Sequence, residues 1–120
     1  MAHRREIWIA DLGKNTLERG SVQSGIRPVI ILSNERNNRH STVVAVVPLT
    51  SRDKKPELPT HVKVSKIHTN YTLMEDSVAV LEMRMPLDVR NLKRKIGYVY
   101  DDEVMEAILV ADQIQVSELE

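Results

Sequence analysis

The sequence predicts a mainly β fold with helices: a small, curled antiparallel sheet or barrel with helical additions. Three observations carry that prediction. Five or six short runs of β-prone apolar residues are separated by polar, glycine- or proline-bearing connectors. After Asp101 the apolar residues switch from alternation to helical spacing. A chain of 120 residues with 42% hydrophobic content fits one domain spanning residues 1–120 and leaves no room for a second.

The first run, Glu6-Ile7-Trp8-Ile9-Ala10-Asp11-Leu12, is β-prone and half alternating, and it ends at Gly13, so it reads as a strand. Gly13 to Gly25 is polar with three glycines and little periodicity, the mark of a long surface loop, and long loops inside compact domains are often functional. Pro28 to Ser33 is the second strand, and "NERNNRHS" is a polar connector with room for a helical turn. Thr42 to Leu49 is a third, strongly apolar strand, with Pro48 near its end. A charged, proline-bearing loop, "SRDKKPELP", precedes a short strand over Thr60 to Val64. Ser77 to Met83 and Ile96 to Tyr100 are the remaining strands, and Val89 to Arg94 reads as a short helix. The C-terminal helix follows from Val104, Ala107, Ile108 and Ala111, with Asp101, Asp102 and Glu103 crowding the end where acidic groups suit the helix dipole.

Composition excludes several classes of function. The 17 basic and 17 acidic residues cancel, so a nucleic-acid role must rest on a local cluster. With no cysteine there is neither a disulfide framework nor a thiolate metal site, which suits a reducing cytoplasm. The N-terminus lacks an apolar stretch of signal-peptide length, and no span approaches the roughly 20 apolar residues of a membrane helix. The expectation is a cytoplasmic protein without membrane contact. No HExxH, P-loop, CxxC pair or dinucleotide fingerprint is present, and the four histidines stand at spacings that match no metal site, so no cofactor and no metal are expected. Trp8 and three tyrosines are too few for extensive base stacking.

Four places carry candidate chemistry. Arg27, two residues after Gly25 and directly before Pro28, is a guanidinium held at the rigid edge of a strand. An arginine there either anchors the loop in a salt bridge or offers its planar donor fork to a phosphate. Thr50-Ser51-Arg52 puts two hydroxyls and a second guanidinium at a strand end, a set that can hydrogen-bond the same phosphate or merely form a turn. His61, in "ELPTHV", follows a stiffening proline and can face a groove beside the loop. Glu82 shares a period-two face with Val80 and Val78, where a lone buried acid is costly, so it is either paired, with an arginine for example, or turned to a cleft with a task.

Taken in order, "EIWIADL", "GSVQSGIRPVIILSN", "NNRHS", "PLTSR", "LPTHV" and "DSVAVLE" resemble the successive blocks of the MazF/PemK/Kid toxins over roughly residues 5 to 116. The resemblance implies an SH3-like β-barrel with added helices, working as a homodimer. It also implies a ribosome-independent, metal-independent endoribonuclease that cuts single-stranded RNA at a short sequence and is neutralised by a cognate antitoxin. The catalytic pair carried over is Arg27 and Thr50. Gln23, Ser51, Leu58, Pro59, His61 and Glu82 match positions that bind RNA. The chain departs from the family's pattern at Val22, where an acid is common, at Met83, Arg84 and Met85, where many members carry a glutamine and then an arginine after the glutamate, and at Arg5, where a glycine is usual. The competing reading is a gyrase poison of the related CcdB type, a binding protein that cleaves nothing. Such proteins use an aromatic, glycine-rich C-terminal end, and this chain ends "QIQVSELE".

Overall fold

Short alternating apolar runs build the strands, and a single helically spaced run builds the longest helix. The structure, a computed structural model, describes residues 1–13, 25–50, 58–65, 67, 69 and 76–116. In chain order these form β1 (Glu6–Asp11), β2 (Ile26–Ile31), α1 (Glu35–His40), β3 (Val43–Thr50), β4 (His61–Val64) and β5 (Ser77–Val80). A 3-10 turn (Leu81–Met83), β6 (Met85–Asp88), a second 3-10 turn (Val89–Asn91), β7 (Leu92–Tyr98) and α2 (Asp102–Val116) follow.

Among the described residues seven strands form one sheet of order β4-β5-β3-β2-β1-β7, with β6 paired to β3. Every ladder is antiparallel. The strand β3 is shared. On one edge it pairs β2; on the other its first half, Val43 to Val46, pairs β6 and its last two residues, Leu49 and Thr50, pair β5. Because β7 follows β6 through the 3-10 turn and pairs β1, the strands β7, β1, β2, β3 and β6 ring one core of Ala10, Val29, Ile31, Val44, Val46 and Leu87. This is the small SH3-like barrel. Among the described residues its ring is completed by the Val89–Asn91 turn and not by a β6·β7 ladder.

A second core lies on the outer face of the same strands. Ile7, Ile30, Val47 and Leu49, joined by Val64 of β4 and Ala79 of β5, pack under Met105, Ile108 and Ala111 of α2. The run Val29-Ile30-Ile31 is therefore apolar throughout because β2 is buried on both faces. Truncating Ile108, which is fully buried, to alanine would cost about 2–5 kcal/mol. Asp101 starts α2 by accepting hydrogen bonds from the N–H groups of Glu103 and Val104 at 2.9 and 3.1 Å. No described helix is long and apolar enough to cross a membrane.

The structure corrects three sequence expectations. Val89 to Arg94 is not a helix: Asp88 caps a single 3-10 turn by accepting from the Arg90 N–H, and the last strand begins at Leu92 instead of Ile96. Its alternation is masked because the β1·β7 register shifts twice, and each shift leaves one residue of β7 unpaired. The strand expected over Ser77 to Met83 stops at Val80, where the chain tightens into the Leu81–Met83 turn. Strand β6 was not anticipated, being four residues long with Pro86 inside it. Proline is tolerated there because, among the described residues, β6 pairs along one edge alone.

Arg5 adopts φ 81°, the left-handed region that glycine favours. Its side chain is anchored on three sides. Nε donates to the Val99 carbonyl at 2.7 Å, Nη2 lies 2.8 Å from Asp102 Oδ1, and the guanidinium sits 5.4 Å from the centre of the Tyr98 ring.

Candidate phosphate-binding site

The position of Arg27 is fixed from both sides. Before it, the β1·β2 ladder runs on past the strand ends: the Leu12 N–H donates to the Gly25 carbonyl at 2.9 Å and the Gly25 N–H to the Gly13 carbonyl at 2.7 Å. Gly13 and Gly25 take φ of +82° and +79°, which a side chain would strain, so the glycines clamp the end of β1 to the start of β2. After it, Pro28 sets its own φ and biases Arg27 to extended backbone. Arg27 itself is half-buried.

Register brings Arg27 and Thr50 together. Ladder β2·β3 pairs Val29 with Pro48, and continuing it by two residues on each strand sets Arg27 across from Thr50. The two share a face, since Arg27 alternates with Val29 and Ile31 and Thr50 with Val46 and Val44, all four of which line the barrel core. Across the other edges Arg27 pairs Ala10 and Thr50 pairs Val78. Side chains directly opposed on adjacent strands stand about 4.5–5.5 Å apart at Cβ, close enough for a guanidinium and a hydroxyl to meet one phosphate. Thr50 is buried, so its hydroxyl is held and not swinging in solvent.

A second polar group stands farther along the same face. His61 pairs Val80 and is almost fully buried, and its Nε2 lies 2.9 Å from Glu82 Oε2. The Thr60 hydroxyl donates to Glu82 Oε1 at 2.8 Å. Burial pushes the Glu82 carboxyl up, but the hydrogen bonds from His61, from Thr60 and from its own backbone N–H outweigh it and hold the group below the usual value. An Nε2 this close to a carboxylate carries a proton, which fixes the ring's orientation. Glu82 is thus paired, the first of the two alternatives, but with a histidine and not an arginine, and it lies beyond the end of the strand expected to carry it. It sits exposed in the 3-10 turn. The turn Leu58 to Thr60 is tied to this group, because Leu58 O accepts from the His61 N–H and Thr60 O from the Leu81 N–H. Leu58 and Pro59 are exposed there. By strand spacing the His61 backbone is about 12 Å from that of Thr50.

Of the residues singled out in the sequence, the structure therefore groups Arg27 with Thr50, and His61 with Glu82, Leu58 and Pro59. Gln23 and Ser51 lie outside the described residues. Sequence reasoning passed over two residues. Thr60 could have been read from its hydroxyl directly before His61, and Lys63 from its place two residues on, which in a strand means the same face. Arg84 reaches the helix, with Nε 3.0 Å from Asp112 Oδ1. Among the described residues no group of three or more His, Cys, Asp or Glu side chains is placed to hold a metal ion.

Comparison with known proteins agrees with this architecture. Residues 3–115 match the model of the PemK-like, MazF-like toxins of type II toxin–antitoxin systems. An endoribonuclease MazF from Staphylococcus saprophyticus is 40% identical over 106 residues, 88% of this chain and 84% of that protein. Among solved structures, Mycobacterium tuberculosis toxin MazF-mt6 superposes with a TM-score of 0.71 at 30% identity, covering 92% of this chain and 95% of that one. A mycobacterial endoribonuclease in complex with its cognate antitoxin gives 0.77 at 23% identity, covering 100% and 99%, a likeness that bears on the fold alone. With its barrel, its C-terminal helix and a family match over nearly its whole length, the chain belongs to the PemK-like, MazF-like toxins of type II toxin–antitoxin systems.

Proposed function

We propose that this chain is an endoribonuclease toxin that cuts single-stranded RNA at a short sequence, acting as a single domain in a cytoplasmic homodimer that a cognate antitoxin neutralises. The observation that carries the reading is the β2·β3 register, which when continued past Val29 and Pro48 aligns Arg27 with Thr50 on one face at a clamped strand edge. The RNA's own 2′-hydroxyl gives up its proton, its oxygen bonds to the adjacent phosphorus and the bond to the 5′ oxygen breaks. The products are a 2′,3′-cyclic phosphate and a 5′-hydroxyl, and the leaving oxygen takes up a proton. The intermediate phosphorane carries more negative charge than the ground-state diester. A guanidinium that never loses its proton therefore stabilises it preferentially, and Thr50 orients the phosphate. Removing one such donor costs roughly 100- to 1000-fold in rate.

Gln23, Ser51, Leu58, Pro59, His61 and Glu82 are assigned to RNA binding around that centre. Supporting this for His61 and Glu82 is their distance from the Arg27–Thr50 pair and their engagement with each other, which suit contact with a neighbouring nucleotide and not proton transfer at the scissile phosphate. RNA cleavage is preferred over gyrase poisoning because the 40% identical relative is named an endoribonuclease. The test is incubation of the purified protein with a long single-stranded RNA in excess chelator, followed by mapping of the new ends. Cleavage at a recurring short sequence with cyclic phosphate ends supports the reading; intact RNA refutes it.

A further inference from the structure

The row that holds Arg27 and Thr50 does not end with them. Thr50 pairs Val78 of β5, and Val78 pairs Lys63 of β4, so Arg27, Thr50, Val78 and Lys63 stand in one line across four strands with their side chains on one face. The opposite face of β4 and β5 is committed to the core under α2 through Val62, Val64 and Ala79, which fixes the direction of Lys63 independently. Lys63 is exposed, and no described residue forms an ion pair with it. Three strand spacings separate it from Arg27, about 14 Å. That is too far to share one phosphate and in line with the path a strand would take over the face.

We propose that Lys63 binds a second phosphate of the RNA, farther along the strand from the one held by Arg27 and Thr50, and so sets the strand's direction across the sheet. The ammonium acts as a point charge on the backbone, strengthening binding without reading sequence. This rests on the RNA-cleaving reading. The experiment measures binding of an RNA made uncleavable by a 2′-deoxy substitution at the scissile nucleotide, between 50 and 200 mM salt (roughly the range over which counterion release is resolved), for the wild type, Lys63→Gln, Lys63→Arg and Arg39→Gln. Arg39 is exposed on α1, at the opposite end of β3 from Thr50. Lys63→Gln should weaken binding by about threefold to tenfold and flatten the slope of log K against log salt by about 0.7. Its cleavage sequence should be unchanged, because a contact to the backbone carries no base readout. Lys63→Arg and Arg39→Gln should keep the wild-type slope. An unchanged slope in a folded Lys63→Gln protein, an equal change in Arg39→Gln, or an altered cleavage sequence overturns the assignment of Lys63 alone. A wild type that neither cleaves nor binds RNA overturns the function itself.

Discussion

Replacing Arg5 by glycine and by alanine should reverse the usual stability order of those two residues. Arg5 holds φ 81°, and a side chain in the left-handed region costs about 1–2 kcal/mol. Glycine escapes that cost but loses about 0.5–1 kcal/mol to the greater freedom of its unfolded chain. Both variants forfeit the same anchors: the 2.7 Å hydrogen bond to the Val99 carbonyl, the contact with Tyr98 and an ion pair whose Asp102 end is almost fully exposed. Together these are worth about 1–3 kcal/mol, most of it from the charge-assisted hydrogen bond, since exposed pairs add little. Both proteins should therefore be less stable than wild type, and alanine should be the worse by about 0.5–1 kcal/mol, or about 2–4 °C in Tm for a chain of this size. Thermal and denaturant unfolding of the three proteins measures this. An alanine variant at least as stable as the glycine variant would refute the argument that the backbone at residue 5 is strained.

Three further outcomes are expected. Arg27→Ala and Thr50→Ala should each lower single-turnover RNA cleavage roughly 100-fold or more with the fold intact by circular dichroism, and Arg27→Lys should recover little because a point charge does not match the phosphate as a planar fork does. Glu6 is buried; burial pushes its carboxyl up, but hydrogen bonds from the His3 N–H, Lys95 and Trp8 outweigh this and leave it below its ordinary 4.5. The stability it contributes is thus fully present above about pH 4.5 and lost as pH falls through the folded-state value, so Glu6→Gln should cost about 1–3 kcal/mol at pH 7 and progressively less in unfolding curves taken towards pH 3. Met83, half-buried beside Glu82 in the 3-10 turn, offers a weak acceptor and no donor, so Met83→Gln should sharpen the base preference at one position of a randomised RNA pool; identical cleavage profiles would mean that residue 83 does not read RNA.

What was legible in the sequence and what was not divides along physical lines. Strands β2 and β3 stood out because both their faces are buried, and α2 because helical spacing and acids near its start act together over many residues. Strands β6 and β7 were hidden. One is four residues with a proline, and the other contains register shifts that expose Lys93, Arg94 and Lys95 in succession, erasing the alternation by which a strand is read. At the site, the Gly-x-Arg-Pro spacing of residues 25 to 28 announced a held arginine. That Thr50 lies opposite was not readable, since register between strands depends on the connection and on what each face buries. Glu82 was misplaced for a similar reason: nothing in "SVAVLEM" marks where the strand tightens, yet that tightening turns the carboxylate from the sheet towards His61.

The change of partner along β3 explains why chemistry can sit at this point of so small a barrel. From Val43 to Val46 the strand is closed in by β6, and its inward side chains, Val44 and Val46, fill the core. By Leu49 it has passed to β5, which belongs to a ladder leading away from the ring. The face that was interior thereby runs out of the barrel, and Thr50 and Arg27 inherit core positions that β6 no longer covers. They keep the rigidity of ladder residues at the mouth of the barrel, Thr50 buried and Arg27 half-buried, and that rigidity is what preorganised stabilisation of a charged intermediate requires. The polar groups of the Leu58 to Thr60 turn and the Leu81–Met83 turn stand at the far end of that ladder, held by backbone hydrogen bonds of their own. On the proposed function, substitutions in those turns are expected to alter which bases are accepted while leaving the Arg27–Thr50 geometry in place. The departure at Met83 belongs to this class, whereas a change at Gly13 or Gly25 would loosen the clamp behind Arg27 and slow cleavage of every sequence alike.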